Sequence, residues 1–208
     1  MKNNLNYTLY LVTDREVLLD TDIYSAVEQA IKGGVTLVQL REKCIGTLEF
    51  YNIAVEMKKI TDKYKIPLII NDRIDIALAI DAAGVHLGQS DMSADIARII
   101  IGNNKIIGVS TSSLIEAIKA EKQGADYVGV GAMFPTTTKN DADAVSVLCL
   151  KEIKEGISIP VVAIGGINQN NVDLLKIANI DGIAVVSDIL GKKCIKEAAE
   201  ELLSNIKI

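Results

Sequence analysis

Apolar and polar positions follow one recurring unit along the chain. Each unit is an apolar run of about five residues, a polar or glycine-rich stop, and a segment with helical spacing of its apolar positions. The first run, residues 9–12, stops at Thr13-Asp14. Residues 22–32 then put Ile23, Ala26, Val27, Ala30 and Ile31 on one helical face, and Gly33-Gly34 ends that helix. The second run, 36–40, stops at Arg41-Glu42-Lys43; a helix over 47–64 follows, with Thr47 as candidate N-cap. Pro67 opens the third run, which ends in Asn71-Asp72, and a short helix covers 74–80. The fourth run, 85–87, ends in Gly88-Gln89-Ser90-Asp91, and the next helix runs from Ser93 to about Ile101. The fifth run, 105–109, stops at Ser110-Thr111-Ser112, before a helix over 114–123 that Gly124 ends. The sixth, 126–130, leads into a long polar connection and a helix over 147–155. Pro160 opens the seventh run, 161–164, which stops at Gly165-Gly166, and 169–178 has helical spacing. The eighth, 182–186, stops at Ser187, and a last helix spans 194–206.

Strict strand–helix alternation implies a parallel sheet covered by helices. Eight repeats without a linker predict one α/β domain over residues 1–208, a single (β/α)8 TIM barrel. An open doubly wound sheet is the alternative, and it needs a strand pairing that departs from chain order.

Composition agrees with buried parallel strands. The chain is 49% hydrophobic and 4% aromatic, has no tryptophan, and draws its apolar mass from Ile, Val, Ala and Leu. A net charge of −5 and the lack of any basic block argue against nucleic acid or an anionic membrane as partner. Small-molecule substrates are the expected partners, and a homo-oligomer is neither required nor excluded. Cys44, Cys149 and Cys194 form no C-x-x-C pair, so reduced thiols are expected. With no signal-peptide pattern and no apolar run near 20 residues, a cytoplasmic protein is expected.

In such a barrel, chemistry sits where strands end. Those positions hold Gln39, Arg41 and Lys43; Asn71 and Asp72; Asp91; Ser110; Thr136, Thr137, Thr138 and Lys139; Gly165 and Gly166; and Val186 and Ser187. Two readings of Asp72 and Asp91 stand: caps of the helices that follow, or ligands of a hard divalent cation such as Mg²⁺. Gly165-Gly166 is either a tight turn or a place where backbone N–H groups reach a phosphate. Arg41, Lys43 and Lys139 opposite the aspartates are either plain ion pairs or the cationic half of a diphosphate site. Lys139 as a Schiff-base lysine is a further alternative. His86, the single histidine, lies inside an apolar run and is expected to be a core residue.

These pieces resemble thiamine-phosphate synthases. The matching segments are VQLREK (38–43), IINDRIDIALAIDAAGVHLGQSDM (69–92), IGVSTSS (107–113), GADYVGVGAMFPTTTKNDA (124–142), PVVAIGGI (160–167) and DGIAVVS (181–187), in family order over most of the chain. The resemblance implies transfer of a 4-amino-2-methylpyrimidin-5-ylmethyl group from its diphosphate to thiazole or carboxythiazole ethyl phosphate. The products would be thiamine monophosphate and diphosphate, with CO2 from the carboxylated form. It implies Gln39, Leu40, Arg41, Glu42, Lys43, Asn71 and Lys139 at the pyrimidine diphosphate, and Asp72 and Asp91 on Mg²⁺. Ser110 would lie beside the reacting centre; with Lys139 and Arg41 it makes the implied catalytic set. Thr136, Thr137, Thr138, Gly165, Gly166, Val186 and Ser187 would surround the thiazole phosphate. Ser112, Ala132-Met133 and residues 144–150 depart from the family pattern, which bears on loop shape and not on the charged groups.

Three rival readings remain. A thiazole tautomerase has a related fold but would use a histidine near the fifth strand that this chain lacks. A sugar-phosphate barrel enzyme would use only the glycine pair. A catalytically silent sensor of thiamine precursors would bind both heterocycles without turnover.

Overall fold

The computed structural model describes residues 5–136 and 144–206. Eight parallel strands pair in chain order: β1 (Leu9–Val12), β2 (Leu37–Leu40), β3 (Leu68–Asn71), β4 (Gly84–Leu87), β5 (Ile106–Thr111), β6 (Tyr127–Val130), β7 (Val161–Ile164) and β8 (Gly182–Val185). β1 also pairs with β8, Tyr10 against Ala184, so the sheet closes and the open alternative is excluded. The described residues therefore form a (β/α)8 barrel.

Outside the strands lie α1 (Ile23–Lys32), α2 (Thr47–Lys63), α3 (Ile74–Ala79), α4 (Ala94–Ile101), α5 (Leu114–Lys122), α6 (Val147–Gly156), α7 (Ser187–Leu190) and α8 (Ile195–Asn205). Each helix turns an apolar stripe to the barrel. On α1 the buried residues are Ile23, Ala26, Val27, Ala30 and Ile31, the face read from the sequence. Asp22 caps that helix by accepting the N–H groups of Tyr24 and Ser25, and Gly34, at φ +102°, lets the chain turn back into β2.

Strand alternation makes two apolar layers. Leu9, Leu11, Val38, Leu40, Ile70, Val85, Val128 and Ala163 point outward and pack under the helices. Tyr7, Tyr10, Val12, Leu37, Ile69, Ile106, Tyr127, Val162 and Ala184 fill the barrel interior. Because both faces are covered, the strands read as continuous apolar runs.

Two local expectations need correction, and one element is new. Residues 169–178 do not form an α-helix; a 3-10 segment covers Val172–Ala178. Asn side chains hold the preceding backbone in turns instead: Asn171 accepts the Asn168 N–H and donates to the Gly166 carbonyl, and Asn168 accepts the Asn170 N–H. Thr47 does not cap α2; Gly46 holds that position, and the Thr47 hydroxyl accepts from Arg73. The short helix α7 was not anticipated, since four residues carry no readable periodicity.

Candidate active site

On β2, β3 and β5 the inward face changes from apolar to polar toward the C-terminal mouth. Leu37 is followed on that face by Gln39, Ile69 by Asn71, and Ile106 by Gly108 and Ser110. The strand register sets these groups around one opening: Gln39 pairs with Ile69, Asn71 with His86, and His86 with Gly108.

Asp72 follows β3 in a left-handed conformation, φ +60°. Its N–H donates to the His86 carbonyl, and the Arg73 N–H donates to the Asn71 carbonyl, so a tight three-residue turn fixes the carboxylate. Such backbone strain is commonly retained where a side chain must be aimed. After β4, Asp91 accepts the Gly88 N–H at 2.7 Å, and its carboxyl reaches that of Asp72. Neither aspartate caps a helix: Arg73 and Ser93 hold the N-cap positions of α3 and α4. The capping reading is thereby excluded.

Burial raises the pKa of Asp91, and the neighbouring Asp72 carboxylate raises it further; Lys43 acts the other way. Lys43 Nζ lies 2.6 Å from Asp72. Two carboxylates thus face one ammonium. Among the described residues no group of three or more His, Cys, Asp or Glu could enclose a metal. Two carboxylate ligands suit a hard cation that completes its shell with water and ligand oxygens, as Mg²⁺ does.

On the β2 side, Arg41 lies 3.2 Å from Asp14 and its backbone N–H donates to Thr13, which holds the guanidinium at the mouth. Asn71 is buried, and its Nδ2 has no hydrogen-bond partner among the described residues, an unmet donor at the same mouth. Leu40 and Glu42 flank Arg41 on this strand end. The Leu40 side chain is fully buried in the outer layer, and Glu42 pairs with Arg15 at 2.9 Å.

His86 is buried with partners on both ring nitrogens, the satisfied core histidine expected. Its Nδ1 is 2.9 Å from the Tyr127 hydroxyl and its Nε2 2.9 Å from the Ser110 hydroxyl. Tyr127 is 2.9 Å from Tyr10, whose oxygen accepts from Gln39 Nε2 at 2.8 Å. Sequence reading missed Tyr10 and Tyr127. Period-two alternation from Ser110 back to Gly108 and from Gln39 back to Leu37 marks the inner face, but nothing in the sequence says which inner residues meet across it.

At the far side, Gly165 (φ +99°) and Gly166 (φ +64°) follow β7. A Cβ on Gly166 would stand 2.5 Å from the Pro135 carbonyl oxygen, and Met133 and Phe134 donate to Ile164 and Gly165. The glycines are therefore required by the close approach of the β6–α6 connection, whether or not an anion binds there. Val186 and the exposed Ser187 border this region after β8, and Thr136 is half-buried beyond Pro135. Thr137, Thr138 and Lys139 lie outside the described residues.

A family model described as thiamine monophosphate synthase matches residues 9–189. The chain belongs to the thiamine monophosphate synthase family. A thiamine-phosphate synthase of Clostridium tetani is 60% identical over 199 residues, covering 96% of this chain and 95% of the relative. One from Clostridium beijerinckii is 58% identical over 202 residues, 97% of each. A solved thiamine phosphate pyrophosphorylase from Pyrococcus furiosus superposes with a TM-score of 0.90 at 41% identity, covering 98% of this chain and 96% of that one. As a thiamine monophosphate synthase family member the chain is an enzyme, a transferase acting on small molecules. Among the described residues no helix is long and apolar enough to cross a membrane.

Proposed function

We propose that this enzyme moves the 4-amino-2-methylpyrimidin-5-ylmethyl group from its diphosphate to the ring nitrogen of thiazole ethyl phosphate. The C–O bond to the diphosphate breaks, a C–N bond to the thiazole forms, and thiamine monophosphate and diphosphate result; the carboxylated thiazole also loses CO2. The observation that carries this reading is the meeting of Asp72, Asp91 and Lys43 at the mouth where Gln39, Asn71 and Ser110 also open.

Gln39, Asn71 and Ser110 orient the pyrimidine by hydrogen bonds. Arg41 and Lys43, with Lys139, hold the diphosphate oxygens and offset charge as the leaving group departs. Asp72 and Asp91 would hold Mg²⁺, which when bound would neutralise further charge on the diphosphate. The region of Gly165, Gly166, Val186 and Ser187, with Thr136, Thr137 and Thr138, receives the thiazole phosphate. The backbone around Leu40 and the Glu42–Arg15 pair support the arginine and lysine from behind. No strong general base is needed: orientation of the two rings and stabilisation of the leaving group supply the rate. Three free thiols fit a reducing cytoplasm.

The test mixes both heterocycles with Mg²⁺ and follows thiamine monophosphate and diphosphate together. Formation of both in equal amounts is expected. Tight binding of each partner without product would instead favour a silent sensor, and isomerisation of the thiazole alone a tautomerase.

A further inference from the structure

The polar chain inside the barrel has one end with an assigned donor. Gln39 Nε2 donates to the Tyr10 oxygen. Burial pushes the Tyr10 and Tyr127 phenols well above their ordinary range, so each keeps a single O–H to donate. Either phenol can donate across the 2.9 Å between Tyr10 and Tyr127; in the sense that continues the Gln39 donation, Tyr10 accepts from Gln39 and turns its proton to Tyr127. In that sense Tyr127 turns its own proton to His86 Nδ1, 2.9 Å away, where the histidine tautomer sets the roles. An accepting Nδ1 puts the proton of a neutral imidazole on Nε2, which faces Ser110 Oγ at 2.9 Å. The serine oxygen accepts, and its hydrogen is left to point elsewhere.

We propose that Tyr127 and His86 are positioning residues, which carry a one-way chain of hydrogen bonds from Gln39 to Ser110 and make the serine hydroxyl a donor toward the ligand. At the other end Gln39 keeps its side-chain carbonyl as an acceptor. An aminopyrimidine has the complementary edge: an amino donor beside a ring-nitrogen acceptor. The ligand half of this inference rests on the function proposed above; the direction of the chain does not.

The packing is built around this chain. A Cβ on Gly108 would overlap the Tyr127 ring, and one on Gly129 would stand 3.1 Å from His86 Cε1. Tyr7 and Tyr10 hold the Tyr127 ring at centroid distances of 5.0 and 6.1 Å. Two strand glycines thus clear the space in which phenol and imidazole meet.

His86 is the single histidine of the chain, so its ring nitrogens are readable in the intact enzyme by 15N NMR. The expected spectrum has a protonated Nε2 and an unprotonated Nδ1. A protonated Nδ1 would mean that the chain runs from Ser110 toward Tyr10, and would overturn the proposal. Tyr127→Phe should give a mixture of tautomers and raise KM for the pyrimidine diphosphate about tenfold, the upper range for one hydrogen bond. KM for the thiazole phosphate should not move. In a Ser110→Ala background the same substitution should change KM less than about twofold, because both act through one group; equal effects in the two backgrounds would overturn it. If Tyr127→Phe melts early, Tyr10→Phe breaks the same chain one link away and must give the same pattern. Should the wild-type enzyme form no product, the proposed reaction fails, yet the tautomer still decides the direction and calorimetric binding of the pyrimidine diphosphate decides the ligand half.

Discussion

The carboxyl groups of Asp72 and Asp91 meet at the ends of neighbouring strands, one aimed by a left-handed turn and the other by the Gly88 N–H. Two like charges held together weaken the apo fold and suit a cation. Asp91→Asn keeps an acceptor for Gly88 while removing one charge. The metal-free variant should be as stable as the wild type or more stable by less than about 1 kcal/mol, because solvent screens the pair. Mg²⁺ should raise the melting temperature of the wild type and not of the variant. Turnover should fall by about 10²-fold or more, as when a charge-stabilising group is lost. Differential scanning fluorimetry with and without metal, beside the product assay, checks all three.

Lys43 sits on Asp72 in the structure, but in the proposed reaction its ammonium also faces the diphosphate. Lys43→Ala should lower kcat/KM for the pyrimidine diphosphate by roughly 10- to 100-fold, within the range for a charge-assisted contact at a leaving group. The thiazole phosphate KM should stay where it is. Steady-state kinetics with each substrate varied in turn separates the two.

Gly166 has no room for a side chain. Gly166→Ala forces an L-residue to φ +64° against the carbonyls of Phe134 and Pro135, which should cost about 1–3 kcal/mol in urea unfolding. If the thiazole phosphate binds beside this turn, its KM should rise while that of the pyrimidine diphosphate does not. Unchanged kinetics with lowered stability would leave these glycines a purely structural role.

Glu28 ties α1 to α2: it lies 2.7 Å from Lys63 and accepts from the Tyr64 hydroxyl at 2.6 Å. The Lys63 and Tyr64 hydrogen bonds lower its pKa to about 2. A depressed carboxylate pKa stabilises the fold above the ordinary carboxylate range, and the gain is lost as pH falls toward the folded value. Glu28→Gln should therefore unfold at a lower denaturant concentration than wild type at neutral pH, with the gap narrowing from about pH 4.5 toward pH 2. A pH series of urea midpoints reads this directly.

Much of the molecule was readable before any coordinates. The strand runs and the α1 stripe follow from side-chain period alone, since a buried parallel strand and an amphipathic helix each leave their own spacing. The polar groups at strand ends were visible for the same reason. Helical spacing failed at residues 169–178, where asparagine side chains compete with helical hydrogen bonds, a contest that periodicity does not register. It failed again for α7, too short to have a period.

What the sequence by itself determined is the order of elements and the set of chemical groups at the barrel mouth, because both depend on neighbours along the chain. Closure of β1 on β8 was only implied. The tertiary structure alone decided which groups touch: that Asp72 and Asp91 meet instead of capping helices, and that Glu42 pairs with Arg15. It also decided that His86 joins Tyr127 to Ser110 across the interior. The reason is geometric. A strand fixes which face a residue takes, but only the register of a closed sheet fixes what stands opposite.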